Sequence, residues 1–487
     1  MIDDIGHYAL IILFASAVGL VAVMANRLTE RVKIPAPLLV LAGAALAIRV
    51  VPKLSPPPES TVVRIITVAL VLVLFDGGMH IGWRRFRASA VPIMTVGVIG
   101  TFLTAAGAAV VLHVLFGLNW YIALLVATTI APTDPAVVFS VLGKREITGP
   151  SGTILEGESG ANDPVGIALM VSLLAAGGLS AAGFATIGIE FVLQMLIGGA
   201  IGVLGGRALL LFIRRVPLPS EGLYPLRTLA VSLMLYGLAT LAHGSGFLAV
   251  FIAGIVIGDA HAPYKAEIQR FHTALAGLAE IVVFAVLGLT VDLRVIAHAD
   301  VWIPGLVLFV LLTVVVRPLA VGACLIPVRL RAGERAFILS AGLKGAVPIL
   351  LGEFLRAAHI PEAERLYGIV VVVVALSVLI QGSSVPALAR ALKVPMRATA
   401  PEPWTLGVRF RDEPQGVHRL TVSKGSAADG ATVENLSDRA GDVWVSIVVR
   451  ASGLVPVRAD TELRAGDEVV ILAESELADT LRSLFRG

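Results

Sequence analysis

Apolar runs long enough to cross a bilayer recur from about Tyr8 to Leu392, and no other feature constrains the fold of this chain so strongly. A spanning helix needs about 20 apolar residues, somewhat fewer where it is broken inside a bundle. Thirteen such segments are predicted, over residues 8–25, 36–51, 62–81, 91–116, 120–142, 153–175, 184–213, 226–242, 246–259, 273–290, 300–326, 336–357 and 365–392. Lipid offers the backbone no hydrogen-bond partners, so runs of this length must close their own bonds as helices. With 57% hydrophobic and 15% charged residues and a mean hydropathy of +0.89, the chain carries more apolar surface than a soluble core could hide. The expected fold class is a polytopic α-helical membrane protein in contact with lipid.

Charge between the segments sets their direction. Loops after odd-numbered segments hold Arg27, Arg31 and Lys33; Arg84, Arg85 and Arg87; Lys144 and Arg145; Arg214 and Arg215; Lys265 and Arg270; and Arg329, Arg331 and Arg335. Loops after even-numbered segments hold mainly Lys53, Arg294 and Arg365. Cytoplasmic loops accumulate Lys and Arg, so the N-terminus is expected outside and the C-terminus in the cytoplasm of a bacterial inner membrane. The net charge of +3 and the pI near 9.1 then reflect topology and not a nucleic-acid surface. The start of the chain carries Asp3 and Asp4 in place of a basic n-region, so the first segment is expected to remain as a span. The single cysteine, Cys324, lies inside an apolar run and reads as a small buried hydrophobe, which leaves neither a disulfide framework nor a cysteine metal cluster.

Segments 1–6 begin outside, the long seventh acts as a link, and segments 8–13 begin inside, which predicts two inverted repeats. Transporters built this way bind their ion at mid-membrane, where an interrupted helix from each repeat crosses its counterpart. Here the fifth segment is interrupted by Ala131-Pro132-Thr133-Asp134-Pro135 and its equivalent, the twelfth, by Gly342-Leu343-Lys344-Gly345-Ala346-Val347-Pro348. Each break carries one charge, and the two are opposite in sign.

The sixth segment contains Glu156-Gly157-Glu158-Ser159-Gly160-Ala161-Asn162-Asp163-Pro164. Ionisable groups at such depth cost several kcal/mol unless paired or wet, so they mark function. Asp163 is the candidate carboxylate that holds either a dehydrated cation or a proton, and competition between the two for one site is itself exchange. Asn162 reads as a neutral ligand, a support, or a partner in an interhelical hydrogen bond. Thr133 and the carbonyls freed by the first break offer the oxygen ligands that alkali cations prefer. Asp134 either compensates a half-helix dipole end or binds the ion, Lys344 compensates the opposite end, and Ser159 shares a face with Asp163 as ligand or packing residue. Glu158 and Arg317 are expected to pair, since a lone Arg in the eleventh segment would be costly. Asp76, in Phe75-Asp76-Gly77-Gly78, lies on the cytoplasmic approach or caps a helix end. Glu190 reads as peripheral; His80, His113, His243, His261 and His272 are expected at helix ends or in loops, without metal-ligand spacing.

At these residues the chain resembles the bacterial sodium/proton and potassium/proton antiporters of the NhaP type, and among them the cell volume regulation branch. The matching motifs are Phe75-Asp76-Gly77-Gly78-Met79, Thr133-Asp134-Pro135, Glu158-Ser159 with Asn162-Asp163, Arg317-Pro318 and Gly345-Ala346-Val347-Pro348. The resemblance implies that Asp163 is the transport carboxylate, assisted by Thr133, Ser159 and Asn162, and that Glu158 pairs with Arg317. It also implies electroneutral exchange and a homodimer, in which a core of helices 4 to 6 and 11 to 13 moves against a dimerisation domain. One departure is Lys344, where the family usually has Arg; the charge is kept but the bidentate geometry is lost.

The apolar runs end before about residue 398, dividing the chain into an expected transmembrane domain, 1–397, and a small α+β cytoplasmic domain, 398–487. Strands are predicted at 405–410, 418–422, 443–449 and up to 472, with a helix at 474–484 and a hairpin signal at Gly466-Asp467. This tail resembles the TrkA-C lobe of domains regulating potassium conductance. No Gly-rich phosphate loop precedes it, so a small ligand such as a nucleotide is favoured over NAD, and a passive dimer clamp is the alternative. The association favours potassium over sodium as the cargo exchanged for protons, with no further cofactor. A potassium channel gated by the lobe is the rival reading, but no carbonyl filter of the Thr-Val-Gly-Tyr-Gly kind is present. An enzyme lacks a catalytic constellation at matching depth.

Overall fold

The computed structural model describes residues 36–50, 56–142, 145–398, 416–441, 443–450 and 453–486, together with positions 13, 16, 19 and 20. Most of the predicted span 8–25, the strand at 405–410, most of the linker after 398, and Arg27, Arg31, Lys33, Lys53 and Lys144 lie outside the described residues. The chain divides into two compact units, Met1–Trp404 and Thr405–Gly487.

The first unit is helical: α1 Ala36–Val50, α2 Glu59–Ala88, α3 Ala90–Phe116, α4 Trp120–Ile130, α5 Ala136–Leu142, α6 Pro150–Ala176, α7 Ala181–Arg215, α8 Leu223–Leu241, α9 Gly246–Gly258, α10 Lys265–Thr290, α11 Ala299–Leu325, α12 Ala332–Ser340, α13 Ala346–Ala357 and α14 Ala363–Ala391. Among the described residues α2, α3, α6, α7, α10, α11 and α14 are long and apolar enough to cross a membrane, and α1, α4 and α9 are shorter apolar helices. Two predicted spans, 120–142 and 336–357, are each a pair of helices around a break. The first pair is α4, which starts on the Asn119 side chain (2.9 Å from the Ile122 N–H) and stops ahead of Pro132, and α5. The second is α12 and α13, parted by Ala341–Gly345; Pro348 sits in the first turn of α13, where a missing N–H costs nothing, and so outside the break.

Helices α3 and α11 are the fourth segments of their respective predicted repeats, and each contains a five-residue π-turn, Thr95–Ile99 and Leu312–Val316. Such insertions rotate the residues that follow them. Arg317 comes directly after the second, and it points into the bundle, buried. Around this core α9 is buried against α2, α7 and α8, and α10 packs against α1 and α2. A further tie is the fully buried Glu353 of α13, bound by Arg356 at 3.0 and 3.1 Å, while Arg356 also reaches Glu59 of α2 at 3.4 Å and Glu364 of α14 at 3.0 Å. Strands β1 Arg145–Ile147 and β2 Met396–Ala398 pair antiparallel and join the end of the first broken helix to the segment after α14.

Three sequence expectations are corrected here. Lys265 and Arg270 belong to α10, which starts eight residues before the predicted span at 273, and not to a loop. His272 is therefore buried in the second turn of α10, its ring 5.0 Å from that of Phe75, and not at a helix end. Asp76 caps nothing, because α2 continues past it to a kink at Gly82 (φ 64°) and on to Ala88. Gly78 is small because α9 crosses there: a methyl group would lie 2.3 Å from the Phe251 carbonyl.

The second unit is a four-stranded antiparallel sheet ordered β3-β6-β4-β5, with β3 Val417–Thr421, β4 Val443–Arg450, β5 Gly453–Val455 and β6 Glu468–Ala473, plus helices α15 Val433–Ala440 and α16 Ala478–Phe485. Val445 and, past a β-bulge, Val448 of β4 join the alternate residues Val469 and Ile471 of β6 to form its core with Leu436, Leu463, Leu481 and Phe485. The Gly466-Asp467 turn does not make a hairpin; it leads into the central strand β6, and the tight antiparallel pair is β4 with β5. The turn is held by the buried Asp467 carboxylate, which accepts from Arg450 at 2.7 and 2.9 Å and from the Arg464 N–H at 2.9 Å. The Arg450 guanidinium keeps this carboxyl below the usual carboxylate range.

Candidate ion-exchange site

The two breaks cross. The Asp134 N–H donates to the Leu343 carbonyl at 2.8 Å, and Lys344 Nζ donates to the Ala131 and Pro132 carbonyls at 2.9 and 3.2 Å. Lys344 thus stands at the carboxyl end of α4, where the backbone leaves partial negative charge. Asp134 stands at the amino end of α13, so close that a methyl group on Gly345 would be 2.0 Å from its Oδ2. Only glycine fits there, and each half-helix end receives the charge that offsets it. The Lys344 N–H is held by Ser377 Oγ at 2.9 Å; Ser377 donates to Gln381 at 2.5 Å, and Gln381 donates to the Ser340 carbonyl at 3.3 Å. Ser377 and Gln381 lie in a π-turn of α14, Ser377–Gly382, whose function the sequence alone did not signal.

Helix α6 runs past this crossing with Glu158, Ser159, Asn162 and Asp163 all buried. Asn162 Nδ2 donates to Thr133 Oγ1 at 2.8 Å, and the Thr133 hydroxyl donates to Glu158 Oε1 at 3.4 Å. Glu158 accepts two bonds from Arg317, at 2.7 and 3.1 Å, and Arg317 also donates to the Leu339 and Ile338 carbonyls near the end of α12 at 3.1 Å each. One continuous chain of polar groups therefore links α6, the first break, α11 and α12. Ser159 is one turn before Asp163.

Asp163 ends this chain differently. It is 7% exposed, and among the described residues neither its Oδ1 nor the Asn162 Oδ1 has a hydrogen-bond partner. The charges acting on it most directly are Asp134 and Lys344. Two buried acceptor oxygens without donors are expensive at this depth, and a proton or a dehydrated alkali cation relieves the cost. Both ligands suit the same oxygens, so binding one displaces the other.

Asp76 is not part of this cluster. Its Oδ1 accepts from Thr273 of α10 at 3.0 Å, and its Oδ2 is 3.3 Å from His80 Nδ1. Glu156, beside the site in sequence, pairs instead with Arg85 of α2 at 3.0 Å. Sequence reasoning also passed over Glu280 of α10 and Glu353, although an acid inside an apolar run is the signal that found Asp163.

Residues 14–391 match the model of the sodium/hydrogen exchanger transmembrane family. The chain belongs to that family. As an exchanger it moves a monovalent cation against protons across a membrane it crosses several times; the family is one of transporters, and the channel reading is not favoured. The exchanger is 36% identical over 331 residues to the K(+)/H(+) antiporter NhaP of Alkalimonas amylolytica, a match spanning 67% of this chain and 57% of that protein. It is 32% identical over 496 residues to the K(+)/H(+) antiporter NhaP2 of Shewanella sp. strain MR-4, spanning 99% of this chain and 84% of that one. The sodium proton antiporter MjNhaP1 of Methanocaldococcus jannaschii shares its fold, with a TM-score of 0.67 at 21% identity over 79% of this chain and 99% of that structure. Residues 417–486 of the exchanger match the TrkA-C domain.

Proposed function

We propose that the exchanger moves one potassium ion against one proton, without net charge transfer, through alternate occupation of Asp163. The observation that carries this reading is the pair of buried oxygens of Asp163 and Asn162 that have no donor among the described residues, beside a crossing where Lys344 is already held by two carbonyls. Thr133 and Ser159 complete the oxygen set, Asp134 and Lys344 hold the crossing, Glu158 with Arg317 fixes α6, and Asp76 lies on the cytoplasmic approach. Potassium is favoured over sodium by two supports: the names of the relatives at 32–36% identity, and a TrkA-C lobe that regulates exchange in response to a small ligand such as a nucleotide. The membrane part, 1–397, works as a homodimer in a bacterial inner membrane, with the N-terminus outside and the regulatory part, 398–487, in the cytoplasm.

The test is cation-driven proton flux in proteoliposomes, with each alkali cation in turn and the membrane potential clamped at several values. Potassium supports flux at lower concentration than sodium, and the rate is indifferent to the clamp. A sodium preference overturns the selectivity; a rate that follows the potential overturns the stoichiometry.

A further inference from the structure

Glu280 lies near the middle of the 26-residue α10, a helix apolar enough to span the membrane. Among the described residues its buried Oε1 has no hydrogen-bond partner. A carboxylate at that depth without a counter-ion does not face hydrocarbon; it faces protein cavity or water. Seven residues earlier on α10 is Thr273, which donates to Asp76. A seven-residue step brings a helix back to nearly the same face, about 10 Å further along its axis. Gly277 falls between the two on that face, and among the described residues a methyl group there would meet nothing within 4 Å; the same is true of Gly77, next to Asp76. The face is thus open from Asp76 inward. At its deep end α10 packs against α13, the half-helix that starts at the crossing, and the Asp134 charge bears on Glu280 from there. Asp76, Thr273 and Glu280 therefore form an oxygen-lined sequence on α2 and α10 that leads from the basic end of α10 to the crossing at which Asp163 waits.

We propose that Glu280 is a transient ligand of the cation. It holds the incoming ion between Asp76 and the crossing, and releases it to Asp163; this rests on the reading of Asp163 as the exchange carboxylate. A staging ligand raises the occupancy of the approach without taking part in the exchange step, so its loss weakens apparent cation affinity and spares the maximal rate.

The experiment compares wild type, Glu280→Gln, Glu280→Asp and Asp163→Asn as full-length protein in the same proteoliposomes, with flux measured against cation concentration. Glu280→Gln raises the apparent KM about tenfold, the effect of removing one charge a few ångströms from the ion, and leaves the maximal rate within about twofold. Glu280→Asp, which keeps the charge, stays within about threefold of wild type in KM. The melting midpoint of purified Glu280→Gln stays within about 2 °C of wild type, because its buried oxygen has no bond to lose. An unchanged KM, a fall in maximal rate alone, or a larger drop in melting midpoint overturns the role. If Asp163→Asn is inactive while Glu280→Gln is indistinguishable from wild type, only the Glu280 inference falls; if Asp163→Asn exchanges normally, the reading of the site falls first.

Discussion

The two ends of the polar stretch in α6 make a natural contrast. At one end Glu158 is buried and saturated, with two bonds from Arg317 and one from Thr133. Little more than a turn away, Asp163 is equally deep, and its Oδ1 has no donor among the described residues. Both carboxylates lie in the same helix at similar depth, so burial alone does not separate their roles. The separation comes from what their oxygens already hold: a saturated acid can only build, whereas an unsaturated one has capacity left for a proton or a cation.

The contrast breaks most visibly if the unsaturated end can be neutralised without loss. Asp163→Asn is expected to lower cation-driven proton flux by at least about 100-fold, since an amide neither titrates nor balances the ion. Its melting temperature should stay close to wild type, measured on detergent-purified protein. The saturated end should behave in the opposite way. Arg317→Ala strands Glu158 as a buried unpaired charge and should cost about 3–5 kcal/mol of stability, read by thermal unfolding. Adding Glu158→Gln should restore part of that loss, and no recovery would mean that the pair does not carry the stability assigned to it.

A smaller effect is expected at Lys344, where the neighbouring carbonyls of Ala131 and Pro132 lose their donor on substitution by Ala. Lys344→Arg keeps the charge and should retain more of the flux than Lys344→Ala; equal loss in the two would show that the shape of the ammonium matters more than its charge.

The least effect on transport is expected in the second unit, which offers its own saturated acid. Asp467→Asn removes the charge and one of the two acceptor oxygens that Arg450 binds, and should cost that unit about 2 kcal/mol, seen as faster amide exchange over residues 416–486 with basal flux intact. The sign of its pH dependence follows from the depressed carboxyl. Stability from Asp467 is fully present above the ordinary Asp value of about 3.9 and is lost as pH falls through the lower folded value, a loss that Asp467→Asn should not show.

Much of this was legible in the sequence because lipid enforces simple rules. The spans from α1 to α14, the two breaks and the buried set Glu158, Asn162, Asp163 and Arg317 stand out as polar or helix-breaking residues inside apolar runs. What was not legible depends on packing. The first turns of α10 carry Lys265, Glu267 and Arg270 and so read as a loop, which hid the burial of His272. That α9 needs Gly78 to be small is likewise invisible in the hydrophobic pattern. The π-turn that brings Ser377 and Gln381 to the second break leaves no mark in the hydrophobic pattern. In the second unit the three-residue β5 is too short for periodicity to find, and the Gly466-Asp467 turn looks like a hairpin because the Arg450 that holds it lies on β4, outside the local sequence.

The central claim is that proton and cation compete for Asp163, and proton release tests it without any flux. Potassium chloride is added to purified exchanger in a weakly buffered solution, with choline chloride as the control. Wild type should release close to one proton per protomer as the cation binds, and Asp163→Asn should release none. Release that persists undiminished in Asp163→Asn would place the exchanging proton on another group and contradict the account.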